Sequence, residues 1–248
     1  MSKTDITAEI KQYGDYITLS DVVDLTWKDP VLTEAAELLG EQMGQTRDSI
    51  IRDMILSEYY DNADSGDYDN VKDLDNSALS QDAMTDVVDA LLSDNARFLT
   101  RVIRPSTGYN TTPIRPAYVA VMHPKFRSRV EGMSDFVPVS EYPRDDVIMD
   151  GEWGAVNNIR IVFTTLADEG GEFDDRNSND NHVIPIFGAD AYGVTELSGG
   201  GASNIVKQHG SAGTGDPLNQ RATSGWKMFL ASAVLNPSFM GIVYGATT

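Results

Sequence analysis

Residues 31–57 read VLTEAAELLGEQMGQTRDSIIRDMILS, and the apolar positions in that stretch decide the architecture. Leu32, Ala35, Ala36, Leu39, Met43, Ile50, Ile51, Met54 and Ile55 recur at three- and four-residue steps. That spacing gathers side chains on one face of an α-helix. A helix over Val31–Ser57 would be about 40 Å long at ~1.5 Å per residue, far above the usual length in a globular domain. Asp29 and Pro30 suit its start: the carboxylate can accept from the free N–H groups of the first turn, and Pro fits the first helical position. Gly40 and Gly44 cost the helix ~1 kcal/mol each relative to Ala. Being four apart they share a face, which predicts either a close approach by another element or a kink.

Working outward, Glu9–Asp24 interleaves Ile10, Tyr13, Tyr16, Ile17, Leu19, Val22 and Val23 with polar residues and reads as strand. Downstream, Asp61–Asn70 is loop by composition. Ser80 then caps a second helix whose apolar face is Ala83, Val87, Val88, Leu91 and Leu92. Arg115–Met122 is a short buried strand ended by His123-Pro124, and Lys125–Glu131 is a short helix. Ile159–Thr165 and Val183–Phe187 are strands on either side of the polar loop Asp168–Asn181. Gly188–Gly193 turns into the strand Val194–Leu197, Ser198–Ser203 is a pliable connection, and Lys207–Gln220 is a Gly-rich loop in which Asp216 and Arg221 can pair. Ser224–Val234 and Met240–Tyr244 are strands joined by Asn236-Pro237-Ser238. Strand, long helix, mixed middle and final strands give an α+β fold with terminal strands packed against the long helix.

Asp and Glu number 38 against 19 Lys and Arg, a formal charge of −19. Such a balance opposes phosphate-driven nucleic-acid binding and docking on anionic membranes. With no cysteine, disulfides, thiolate metal sites and Cys nucleophiles are excluded. The first residues contain no apolar core of a signal peptide, and Phe229–Leu235 is far too short to span a bilayer, so synthesis in the cytoplasm is expected. His123, His182 and His209 share no metal-ligand spacing, with His182 placed in a polar loop. The acidic run from Asp61 to Asp69 fails the EF-hand register at Ala63. Gly210–Gly215 lacks the Lys-Ser/Thr of a P-loop, and no Gly-x-Ser-x-Gly elbow occurs. No catalytic residue, cofactor or metal ligand is therefore assigned.

Four segments in order carry a family likeness. They are Gln12–Thr26 (QYGDYITLSDVVDLT) with Asp29–Gln42 (DPVLTEAAELLGEQ), His123-Pro124 before a short helix, Phe187–Val194 (FGADAYGV), and Gly210–Lys227 (GSAGTGDPLNQRATSGWK). Together they resemble the N-four-type phage major capsid family. The resemblance implies the Hong Kong 97-type capsid fold: a peripheral domain with a long spine helix and strands, and an axial α/β domain. Residues 1–60 would be peripheral, 61–79 an acidic loop, 80–187 axial, and 188–248 a return to the peripheral domain. Relatives carry an N-terminal arm and extended loop ahead of the segment matching Glu9–Asp24, so both are expected to be missing here.

By the same resemblance the chain would be a non-enzymatic shell subunit. Copies of itself in hexamers and pentamers would enclose double-stranded phage DNA, with scaffold or decoration proteins as further partners. Its place would be the virion capsid, and the host cytoplasm during assembly. The long loops beside packed elements, Gly210–Arg221 and Asp61–Asp75, offer inter-subunit contacts: Asp216, Arg221, Lys227, Asp61 and Asp64. Arg221→Glu and Lys227→Glu are expected to impair assembly if these cations answer acidic neighbours. The residues leave open a nanocompartment shell of the same fold, an acidic calcium-dependent module, and a hydrolase with paired carboxylates.

Overall fold

The computed structural model describes residues 5–26, 31–63, 71–104, 112–143, 148–167, 181–196, 201–211 and 215–246. In chain order the elements are β1 (Lys11–Ser20), α1 (Asp21–Thr26), α2 (Val31–Ala63), β2 (Val71–Ala78), α3 (Gln81–Ser93), β3 (Tyr118–Met122) and α4 (Arg127–Glu131). There follow β4 (Phe136–Pro138), β5 (Glu152–Val156), β6 (Ile159–Phe163), β7 (Asn181–Phe187), β8 (Tyr192–Glu196), β9 (Ser203–Lys207), β10 (Arg221–Val234) and β11 (Met240–Ala246). The chain divides into two compact units: residues 1–51 with 194–233, and residues 52–193 with 234–248.

In the first unit β10 pairs antiparallel with β1 from Lys11↔Leu230 to Ser20↔Arg221. It also pairs with β9 from Thr223↔Lys207 to Lys227↔Ser203. One face of this sheet meets α2. Leu39, Trp226 and Met228 are buried together, with Tyr13, Ile17, Met43 and Ile50 packed against them. Gln42 ties the layers, donating from Nε2 to Asp15 Oδ2 at 2.7 Å and accepting Trp226 Nε1 at 3.3 Å. That bond, followed by the Tyr16 backbone N–H, holds the Asp15 carboxyl below its usual range. The long helix and its terminal strand are as the periodicity predicts, with two differences. The strand stops at Ser20, where Asp21–Thr26 turns helical, and α2 continues past Ser57 to Ala63. Gly40 and Gly44 neither break the helix nor touch another element, since a Cβ on either would meet nothing within 4 Å. The proposed cap Asp29-Pro30 lies outside the described residues.

The second unit is built on a mixed seven-stranded sheet in the order β2-β11-β7-β3-β6-β5-β4. β3 with β6 and β11 with β2 are parallel, and the other pairs are antiparallel. Tyr118, Ala120 and Met122 of β3 are fully buried with Val87 and Leu91 of α3 and Phe126 and Val130 around α4. Each such large side chain contributes ~1.5–3 kcal/mol on leaving water. The Tyr118 hydroxyl, buried among them, donates to the Ala96 carbonyl at 2.9 Å. α3 starts where its sequence places it, with the Ser80 hydroxyl accepting the Ala83 N–H at 3.2 Å. Its buried face includes Met84, whereas Leu92 is exposed. Ser80→Ala removes that cap and should lower stability by about 1 kcal/mol, read as a smaller urea midpoint at unchanged slope.

Two placements differ from the sequence reading. Residues 71–78, within the stretch read as an acidic loop, form β2 at the edge of the sheet, where it pairs on one side with β11. Met240–Ala246 does not join the sheet of β10; β11 lies inside the seven-stranded sheet, between β2 and β7.

Candidate functional site

The loop before β10 closes on its own carboxylate. Asp216 is buried, and its Oδ2 accepts the backbone N–H of Arg221 at 2.7 Å. The bond between the two residues therefore runs to the backbone. Arg221 and Lys227 stand on β10 with exposed side chains. Asp61 belongs to the last turn of α2, and Asp64 lies outside the described residues, as does most of the acidic run read for calcium.

His182 is not a loop residue. It sits in β7 at 1% exposure, its ring 5.9 Å from that of His123 in a near-parallel stack and edge-on to Phe126 at 5.2 Å. His123 Nδ1 accepts the Lys125 N–H at 3.2 Å, which caps the short turn before α4. Polar neighbours on one side hide this burial in the sequence; the pairing of β7 with β11 creates it. Among the described residues no group of three or more His, Asp or Glu side chains could hold a metal ion. No described helix is long and apolar enough to cross a membrane.

A buried ionic cluster escaped the sequence reading. Arg160 of β6 donates from Nε to Glu152 Oε1 at 2.6 Å and from Nη2 to Oε2, both side chains being buried. Tyr142 donates its hydroxyl to Oε1 at 2.7 Å, and the Met149 N–H completes Oε2 at 2.9 Å. Burial first, then the bond to Glu152, pushes the Tyr142 phenol far above its usual range, so it stays a donor. With each Glu152 oxygen accepting twice, the carboxylate has no lone pair left for a substrate. The signal was present as an Arg inside the apolar run Ile159–Phe163.

Beside this sheet a cleft of about 390 Å³ is lined by Leu99, Val121, Phe187 and Tyr192, with Asp190 at its edge. Asp190 is held by Arg97 across an exposed ion pair. Leu99 in its wall is 51% exposed. An apolar cleft whose one lining carboxylate is already engaged suits contact rather than acid–base chemistry.

A family model described as phage capsid protein matches residues 3–245. No curated protein matches the chain by sequence. Among solved structures, the capsid of cyanophage P-SCSP1u is similar at a TM-score of 0.62 and 13% identity, covering 100% of this chain and 78% of that one. The head of Helicobacter pylori bacteriophage KHP40 gives 0.61 at 11% identity, with 97% and 76% covered. The SrpI encapsulin complex from Synechococcus elongatus PCC 7942 gives 0.56 at 9% identity, with 96% and 75% covered. At these identities the likeness is one of fold.

Proposed function

Since the chain belongs to the phage capsid protein family, we propose that it works by association with copies of itself and not by turnover. It is a major capsid shell protein of the Hong Kong 97-type fold. In our reading its copies form hexamers and pentamers that close an icosahedral shell around double-stranded DNA, in the virion and, before that, in the host cytoplasm. Residues 1–51 with 194–233 act as the peripheral domain and 52–193 with 234–248 as the axial one, so β11 moves to the axial side. Repeated head-to-tail contacts generate closed rings, and many weak contacts per subunit suffice for a stable shell. Scaffold or decoration proteins would join as partners of the assembled lattice. The observation that carries this reading is the family match over nearly the whole chain.

Gradient sedimentation and negative-stain microscopy of the purified chain test it: rings or shells support it, and compact monomers at all concentrations sink it. Salt should govern the outcome. A chain of charge −19 repels its own copies. Raising ionic strength from ~0.01 to ~0.15 M cuts the screening length from ~30 to ~8 Å, so assembly should increase several-fold over that range. The encapsulin likeness supports a second reading, a nanocompartment shell. Particles recovered from cells with a protein cargo instead of DNA would favour it.

A further inference from the structure

The outer face of the first unit's sheet runs against the charge of the whole chain. Alternate residues of a strand point to opposite faces, and residues paired across an antiparallel ladder share one. The register therefore sets Tyr16, Gly225 and Ile205 in one row, and Thr18, Thr223 and Lys207 in the next. Gly14, Lys227 and Ser203 form the row on the other side, and Ser20 with Arg221 ends the array. Trp226 and Met228 point the opposite way, into α2. Lys207, Lys227 and Arg221 are all exposed, and no position of these rows is acidic.

Between the cations lies an apolar centre, with Tyr16 at 69% and Ile205 at 40% exposure. Gly225 keeps it open, because a Cβ there would come within 2.8 Å of the Tyr16 Cβ and 3.0 Å of the Asp15 carbonyl. No described acidic side chain forms a recorded ion pair with any of the three cations. On the same unit the exposed side of α2 presents Glu34, Glu37, Glu41 and Asp48, against Arg47.

We propose that this basic, aromatic-centred sheet face docks an acidic surface of a second copy of the chain. The proposal rests on the shell reading and names a contact within it. Charge complementarity selects the occupant: in a chain of net charge −19, copies carry acidic surfaces to one another. Unlike surfaces meeting head to tail give a heterologous contact, the kind that propagates into rings. Three cations are few for binding by counterion release, which makes DNA the weaker occupant.

Two arms test it on the full chain. In the first, p-benzoyl-phenylalanine replaces Tyr16, and isotopically light and heavy chains are mixed, irradiated and mapped by mass spectrometry. In the second, Lys207→Glu/Lys227→Glu is compared with Lys207→Gln/Lys227→Gln for the concentration at which particles form. Expected are light–heavy cross-links from position 16, and a threshold raised at least about tenfold by the Glu pair and less by the Gln pair. The thermal midpoint of the dissociated subunit should not move, because these side chains are solvent-facing.

Shells without cross-links from position 16, or unaltered assembly of the Glu pair, overturn the docking face and leave the shell reading standing. Cross-linked oligomers that never close keep the face and sink the shell. Monomers with no cross-link overturn both. DNA retention by the parent chain that the Glu pair abolishes, without light–heavy cross-links, overturns the proposal in favour of nucleic acid.

Discussion

Arg160→Met should destabilise the second unit by about 3–5 kcal/mol, because it leaves a buried carboxylate facing an apolar side chain. Glu152 then keeps the Tyr142 hydroxyl and the Met149 N–H but loses both guanidinium bonds. The asymmetry of buried ion pairs supplies the control. Replacing all three polar groups together, as Glu152→Leu/Tyr142→Phe/Arg160→Met, leaves no orphaned charge and should cost far less, with packing mismatch the main term. Urea denaturation of the three proteins, with hydrogen exchange at β5 and β6, checks both halves. A single variant as stable as the parent would mean that water reaches Glu152.

Trp226→Ala should cost the first unit about 3–5 kcal/mol. Its indole is buried against Leu39 and Met228, and its N–H holds Gln42, which in turn holds Asp15 of β1. Removing it opens a cavity under the sheet and loosens the layer on which α2 depends. Hydrogen exchange should quicken in β1, β10 and the Leu39–Ile50 part of α2, while α3 and β3 keep their protection. Exchange that quickens equally in both units would contradict the division into separate cores. Particle yield should fall with it, since the docking face is the reverse side of the same strands.

Much of this fold is written locally. The three- and four-residue steps of α2 and the Ser80 cap of α3 depend on neighbours in sequence, and they appear where periodicity and capping place them. What escaped depends on partners far away. Ser224–Val234 and Met240–Tyr244 look like two arms of a hairpin across Asn236-Pro237-Ser238, yet they join different sheets, because long-range pairing with β1 and β7 decides their places. β5 was hidden because Glu152 and Gly154 interrupt its apolar pattern. Both have tertiary reasons: Glu152 meets Arg160, and a Cβ at Gly154 would strike the Phe136 ring and the Val137 carbonyl at 2.5 Å.

The basic face was only partly legible. Arg221 and Lys227 stood out as cations beside a Gly-rich loop. Nothing in the chain joins them to Tyr16 or Lys207, which only the strand register aligns. Function came from the four-segment likeness to a capsid family, since neither composition nor motif chemistry pointed to a task.

The place of β11 sets a clock on biosynthesis. This strand fills the gap between β2 and β7, yet Ile242 pairs with Val71 across most of the sequence. A ribosome adding ~5–20 residues per second needs on the order of ten seconds or more to travel from one strand to the other. Within that interval, from its own synthesis until β11 arrives, β7 has an unsatisfied edge beside Ile184 and Ile186, a sticky seam of the kind that chaperones shield. The second unit therefore closes only once β11 has been made, and before then a nascent chain can enter no lattice contact that needs a finished sheet.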